Sequence, residues 1–316
     1  MPFPVRSLII AVPQPHFMKS KLLLPLLAIS SLASWQPLPA QQDTGSVDIG
    51  GFGSDEPLER TDLPARGVMT FGPKDHVYSN QQHWEQYDWK LNAKRWGTYQ
   101  VRLTYTLKHA TLGVQVKLGE QRLKKMLTAS GEPRRVHFGT IKVEKAGANE
   151  FALYTPASGA GSGFVIHEMA FIPTTETGVV APAEDGTITL AAKDATTWSE
   201  TMRYEPKPEK NCLGFWTDPD DFAEWEFEVK KPGRYKVIVS HGCGGGNEGS
   251  TVAVKQGDQA LKFTVKDTGG FQKWSDAEVG EIEIKQAGVQ RLVIDPENKT
   301  KSAVLDVQKV VLKPVS

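Results

Sequence analysis

The 316 residues carry 37 basic and 37 acidic side chains, and no run of Lys and Arg forms a stripe. A chain so balanced is poorly suited to nucleic acid, and its length fits two domains of ordinary size. Eight Trp residues are a generous supply, and each must be a core plug or a ligand platform, because an indole is costly to leave in water.

In chain order, residues 1–40 read as a signal peptide. Met18-Lys-Ser-Lys21 is a short basic segment, with Met18 as an alternative start. Leu22 to Trp35 is apolar, and Leu38-Pro-Ala40 offers a cleavage site. About 14 apolar residues fall short of the ~20 that span a bilayer, so export without a membrane span is expected, to a secreted or periplasmic location. Residues 41–66, rich in Gly, Asp and Glu, read as a flexible linker.

Two all-β sandwich (jelly-roll) domains are expected next, at 67–173 and 186–316, with a linker at 174–185. Trp225, Phe227 and Val229 alternate with Glu224, Glu226 and Glu228, and Tyr99, Val101, Leu103 and Tyr105 alternate with polar residues. The domains read as copies. Gly67 to Asp75 parallels Gly186 to Asp194, Tyr87-Asp-Trp89 parallels Ala223-Glu-Trp225, Gly97-Thr-Tyr99 parallels Gly233-Arg-Tyr235, and both end on a proline, Pro173 and Pro314. The first copy lacks counterparts of Tyr204-Glu205, of Leu213-Gly-Phe-Trp216 and of the Gly-rich run after His241, so it is expected to space, stabilise or bind weakly.

Strand parity places the longer connections of the second domain, 217–222, 242–249, 266–276 and 295–302, at one end. The candidate ligand residues there are Trp216, Asp218, Asn247, Glu248, Phe271, Gln272, Trp274 and Asn298. A pyranose needs a flat apolar surface for its C–H face and amides or carboxylates for its hydroxyls. Trp216 or Phe271 taken singly could equally fold inward; the whole group turning inward is not expected.

Cys212 and Cys243 are the only cysteines. In an oxidising compartment an even pair suggests a disulfide, with two separately buried thiols as the alternative. Gly244-Gly-Gly246-Asn-Glu-Gly249 matches a dinucleotide fingerprint only formally, because a strand follows where a helix is needed. Asp218-Pro-Asp220-Asp221 reads as a turn rather than a calcium loop. No Gly-x-Ser-x-Gly elbow or zinc-spaced His pair occurs.

Asn211-Cys-Leu-Gly-Phe-Trp216, then Asp220-Asp-Phe-Ala-Glu-Trp225 and Lys231-Pro-Gly-Arg-Tyr235, resemble the carbohydrate-binding modules of families 6 and 35, galactose-binding-domain-like jelly rolls. Gly242 to Gly246, Gly249-Ser250 and Thr268 to Gln272 are similar to a subgroup appended to secreted bacterial sulfatases and glycoside hydrolases. The resemblance covers about residues 186–314. It implies binding of a polysaccharide or glycan without catalysis, a separate secreted enzyme as partner, and a structural calcium ion (Ca2+) held by Asp194, or a backbone carbonyl near it, and by Asp306. The first strand departs from the family in lacking its usual glutamate. A structural or protein-interaction role in the cell envelope and a glycan hydrolase or lyase are the competing readings.

Overall fold

The computed structural model describes residues 64–81, 83–157 and 163–315. The expected signal peptide and all but the last residues of the first linker lie outside these. Among the described residues the regular structure is β-strand apart from one 3-10 turn at Ala192–Asp194, and no helix is long and apolar enough to cross a membrane.

The N-terminal part is one seven-stranded sheet: β1 Met69–Phe71, β2 His76–Gln81, β3 Trp84–Ala93, β4 Gly97–Leu118, β5 Gln121–Val143, β6 Gly147–Pro156 and β7 Phe164–Pro173. β4 and β5, 22 and 23 residues long, turn a corner together and serve two layers. The first half of β4 pairs with β7, its end pairs with β6, and β5 accompanies both halves. Register shifts between Tyr105 and Leu107 and between Leu107 and Thr111 mark the corner, as bulges bend a strand where an unpaired residue intervenes. Trp89, Leu91, Tyr99, Val101, Leu103, Phe151 and Phe171 fill the space inside. Trp89 stacks on Phe151 with ring centroids 4.9 Å apart.

The C-terminal part is a sandwich of two sheets. Its strands are β8 Ile188–Ala191, β9 Thr196–Trp198, β10 Arg203–Glu205, β11 Cys212–Gly214, β12 Phe222–Val229, β13 Gly233–Cys243, β14 Thr251–Gln256, β15 Gln259–Thr264, β16 Gly270–Ile284, β17 Gly288–Pro296 and β18 Asp306–Pro314. One sheet runs β10-β11-β18-β13-β16 with β8 also on β18; the other runs β15-β14-β17-β12-β9. Alternation sends Trp225, Phe227 and Val229 from one sheet and Tyr235, Val237 and Val239 from the other into a shared core.

The pairing order repeats. In each part the first strand pairs with the last (β1 with β7, β8 with β18). β3 lies between β2 and β6, as β12 lies between β9 and β17. β4 does the work of β13 and β14 in one piece, and β5 that of β15 and β16. The connections 244–250 and 265–269 of the sandwich are therefore replaced in the N-terminal sheet by continuous strand. β10 and β11 have no N-terminal counterpart.

The turn between β3 and β4 meets the C-terminal part. Arg95, 3% exposed, donates through Nη2 to the Thr197 carbonyl at 2.7 Å and through Nε to the Ser199 carbonyl at 3.0 Å. Burial lowers the Arg95 pKa. Trp96 donates through Nε1 to the Tyr204 carbonyl at 3.3 Å.

Candidate functional site

Three of the four expected connections meet: 242–249, the start of 266–276, and 295–302. Gly249 N–H donates to Val265 O and Thr268 N–H to Cys243 O. Asn247 Oδ1 accepts from Ser302 Oγ at 2.6 Å and from Ala303 N at 3.1 Å. Asn298 Oδ1 accepts from Thr251 N at 3.1 Å. Glu248 Oε2 accepts from Gly246 N at 2.8 Å. Asn247 and Asn298 thus clamp loops together, and Glu248 spends one oxygen on its own turn.

Three expectations are corrected. Trp216 is no surface platform: it is fully buried, and its Nε1 donates to the Asp221 carbonyl at 3.0 Å. Cys212 and Cys243 form no disulfide; both are free, buried thiols. Cys212 Sγ lies 3.6 Å from Asp306 Oδ2, and Cys243 Sγ lies 3.5 Å from Gly244 O. Burial raises both thiol pKa values, that of Cys243 to about 11. Phe271, Gln272 and Trp274 sit not in a loop but in β16, which starts at Gly270. Gly269, at φ 82, makes the reversal just before it, a conformation open to glycine at little cost. The Asp220 N–H lowers the Asp218 pKa, and an ion pair with Arg66 adds to this.

A different cluster forms on the sheet that carries β10 and β11. Glu205, Cys212 and Asp306 are all buried, with ligand-type atoms within 4.8 Å of one another. Lys210 Nζ bridges both Glu205 oxygens at 2.8 and 3.0 Å, and this pairing raises the lysine pKa. Gln272 donates through Nε2 to Asp306 Oδ2 at 3.1 Å. Burial, with the charge of Glu205 adding to it, pushes Asp306 up to about 7. Glycines make room. A Cβ at Gly214 would lie 2.5 Å from Glu205 Oε2, and one at Gly242, paired with Asp306, would lie 2.0 Å from Phe271 O.

The family-implied calcium ion does not fit this donor set. Asp194 pairs with Lys193, while Asp306 sits beside a thiol and Glu205 is already neutralised by Lys210. Calcium prefers a cage of oxygens alone.

Short β11 is bracketed by two non-glycine residues with positive φ, Asn211 at 43° and Phe215 at 59°. For a bulky residue such backbone costs about 1–3 kcal/mol and needs a compensating contact. Phe215 has one: the Arg203 guanidinium carbon lies 3.4 Å from its ring centroid and 3.9 Å from that of Trp96. The left-handed step breaks strand parity, so Trp216 turns into the core while the Phe215 ring stays 45% exposed. Lys210 Nζ is 5.5 Å from the Phe215 ring, and Tyr204 OH donates to Asn211 Oδ1 at 2.7 Å. Lys210 and Arg203 escaped the sequence reading, and Glu205 and Phe215 entered it only as part of segments that the first domain lacks. The available signal was that absence, since β10 and β11 have no counterpart in the N-terminal sheet.

An exposed ring, an ammonium, carboxylates and amides on one face can pack a C–H surface and exchange hydrogen bonds with hydroxyls. Residues 194–316 match the model of a family described as a domain of unknown function, DUF5077. That match takes in the whole β10–β11 insertion. No curated protein matches the chain. Among solved structures, a Paenibacillus xanthan lyase is similar at 13% identity over 81% of this chain and 26% of its own, with a TM-score of 0.32. The C-terminal CBM6 of LamC, a marine laminarinase from Zobellia galactanivorans, is similar at 14% identity over 40% of this chain and 98% of its own, at 0.32. A family 35 carbohydrate-binding module from Clostridium thermocellum is similar at 13% identity over 41% of this chain and 98% of its own, at 0.32. The chain spans about a quarter of the xanthan lyase's length. Such low scores carry no function across.

Proposed function

We propose that this chain is a non-catalytic carbohydrate-binding protein whose C-terminal sandwich holds a sugar on the β10–β11 face. The observation that carries the reading is the left-handed Phe215, whose ring is held out at 45% exposure beside the Lys210–Glu205 pair. A pyranose would lay its C–H face on Phe215, an interaction worth roughly 0.5–1.5 kcal/mol by analogy with other ring contacts. Its hydroxyls would find Lys210, Asn211 and Gln272. Half-buried Trp274, two residues beyond Gln272, is a second candidate ring.

Catalysis is disfavoured by the same geometry. Glu205 and Asp306 are 6% and 5% exposed, with oxygens within 4.8 Å. A retaining glycosidase holds its two carboxyl groups ~5–5.5 Å apart on either side of an accessible sugar, and here no sugar carbon could enter between them. Affinity electrophoresis against a panel of polysaccharides tests the reading. Retardation that is lost in Phe215→Ala and weakened in Asn211→Ala, with the fold retained by circular dichroism, supports it. Binding indifferent to Phe215→Ala and Asn211→Ala would place the sugar elsewhere, and no retardation by any glycan would remove the function.

A further inference from the structure

The turn that joins β3 to β4 reaches the β10–β11 face, and Trp96 in that turn touches β10 in two ways. Its Nε1 donates to the Tyr204 carbonyl, and its ring lies 3.9 Å from the Arg203 guanidinium carbon. The same carbon lies 3.4 Å from the Phe215 ring. The two rings meet edge to face, with centroids 6.3 Å apart and planes at 76°. The guanidinium fills the corner between them. Arg203 is 9% exposed; its Nη1 donates to the Thr201 carbonyl at 2.9 Å, and its buried Nε has no hydrogen-bond partner among the described residues. Ring faces therefore hold this cation more than hydrogen bonds do, and such contacts strengthen when the cation is taken out of water.

Trp96 is itself fixed in place. Arg95 beside it ties the turn to the Thr197 and Ser199 carbonyls. Arg66 donates through Nε to Asp221 at 2.6 Å, and that fully buried carboxylate also accepts from Ser199 Oγ. A Cβ at Gly67 would lie 2.3 Å from the Ser199 carbonyl oxygen, so the two backbones touch. Ala170 and Ile172 of β7 pack on Trp198 of β9. All these contacts fall on residues 197–221, the stretch that carries β10 and β11. That stretch also positions the groups assigned to the sugar. Tyr204, whose carbonyl takes the Trp96 N–H, donates its hydroxyl to Asn211, and Phe215 has Arg203 behind its ring. At φ 59 a phenylalanine needs such backing, because few contacts favour that backbone for a bulky residue.

We propose that the N-terminal sheet is part of the sugar site. Trp96 is a positioning residue: through Arg203 it sets the Phe215 ring, and through Tyr204 it sets Asn211. The inference rests on the sugar reading of the β10–β11 face. It makes the chain one binding unit, where the sequence alone suggested a binding sandwich beside a spacer.

The test is affinity electrophoresis of the full chain in soluble β-1,3-glucan, β-1,4-mannan, arabinoxylan and pectic galactan, continued with whichever retards it most. Trp96→Ala, with its fold retained by circular dichroism, should weaken retardation about five- to thirtyfold, the loss of one face of a desolvated cation–ring contact. Trp96→Phe keeps a ring for Arg203 and should recover most of that loss; Trp96→Leu fills similar space without a ring and should not. Trp84→Ala, at an exposed tryptophan of the same sheet, should change nothing. A readout without sugar accompanies these. The Arg203 Nε–H proton, sealed from water beside two rings, should resonate upfield and move downfield in Trp96→Ala, and less so in Trp96→Phe. Retardation lost in Phe215→Ala but within about twofold of the parent in Trp96→Ala would overturn this inference and leave the sugar reading standing. Equal effects of Phe and Leu at position 96, a comparable loss in Trp84→Ala, or an unmoved Arg203 signal would overturn it too. Retardation indifferent to Phe215→Ala, or none in any of the four gels, would remove both readings.

Discussion

The two halves of this chain use one pairing order for opposite ends. In the N-terminal sheet β4 and β5 run unbroken round the corner, so the chain spends nothing on loops, and its open surface is the flat outer face. In the C-terminal sandwich the same path is cut into β13 and β14, and β15 and β16, and the cuts supply the loops clamped by Asn247 and Asn298. The sandwich also gains β10 and β11, which carry Phe215 and the buried carboxylates. Two parts with one pairing order thus differ most in where their strands are interrupted. Bulges let one copy bend continuous strands where the other inserts glycine-rich connections.

The sharpest way to break this comparison is at Trp216. If the inserted segment is part of the C-terminal core, Trp216→Ala should cost about 3–5 kcal/mol in urea unfolding, while neighbouring Phe215→Ala should cost under about 1 kcal/mol. Comparable costs would return both rings to the surface. Next comes a titration that only the sandwich should show. Asp306 is raised from 3.8 to about 7 in the folded chain, so its folded form holds a proton that its unfolded form releases. Its contribution is complete below pH ~4 and is lost as pH climbs towards ~7. Asp306→Asn should flatten that decline, measured by thermal melts across the range; an unaltered slope would assign the titration to another group. A third change tests the link between the halves. Trp96→Ala removes one side of the Arg203 stack and should cost about 0.5–2 kcal/mol. If glycan affinity falls with it, the N-terminal sheet acts as a positioning support for Phe215. The smallest effect is expected at Lys262→Gln, whose pair with Glu297 is exposed and worth about 0.2–1 kcal/mol.

Much of the framework was legible because a half-buried strand must alternate. Trp225, Phe227 and Val229 on one strand, and Tyr235, Val237 and Val239 on the next, could be placed in the core from spacing alone. Tyr99 and Tyr235, matched in sequence, also take matching places in the pairing order, on β4 and β13. The site was less legible. Trp216 stood among the candidate ligand residues, although singly it could equally fold inward, and nothing in Leu213-Gly-Phe-Trp216 announces the left-handed phenylalanine that turns it into the core. Gln272 was placed near a ligand but not against Asp306, because its reach depends on Gly242 having no side chain beside Phe271. Such close approaches are made by tertiary packing, and local sequence does not record them.

The two sulfurs rest in separate linings of apolar and carboxyl groups, neither in contact with solvent. A protonated, sealed thiol is a slow nucleophile and a poor target for peroxide. The folded chain is therefore expected to behave alike in air and in dithiothreitol, and its refolding should require no oxidant and no isomerase. Cross-linked species, where they form, would then report molecules that had opened.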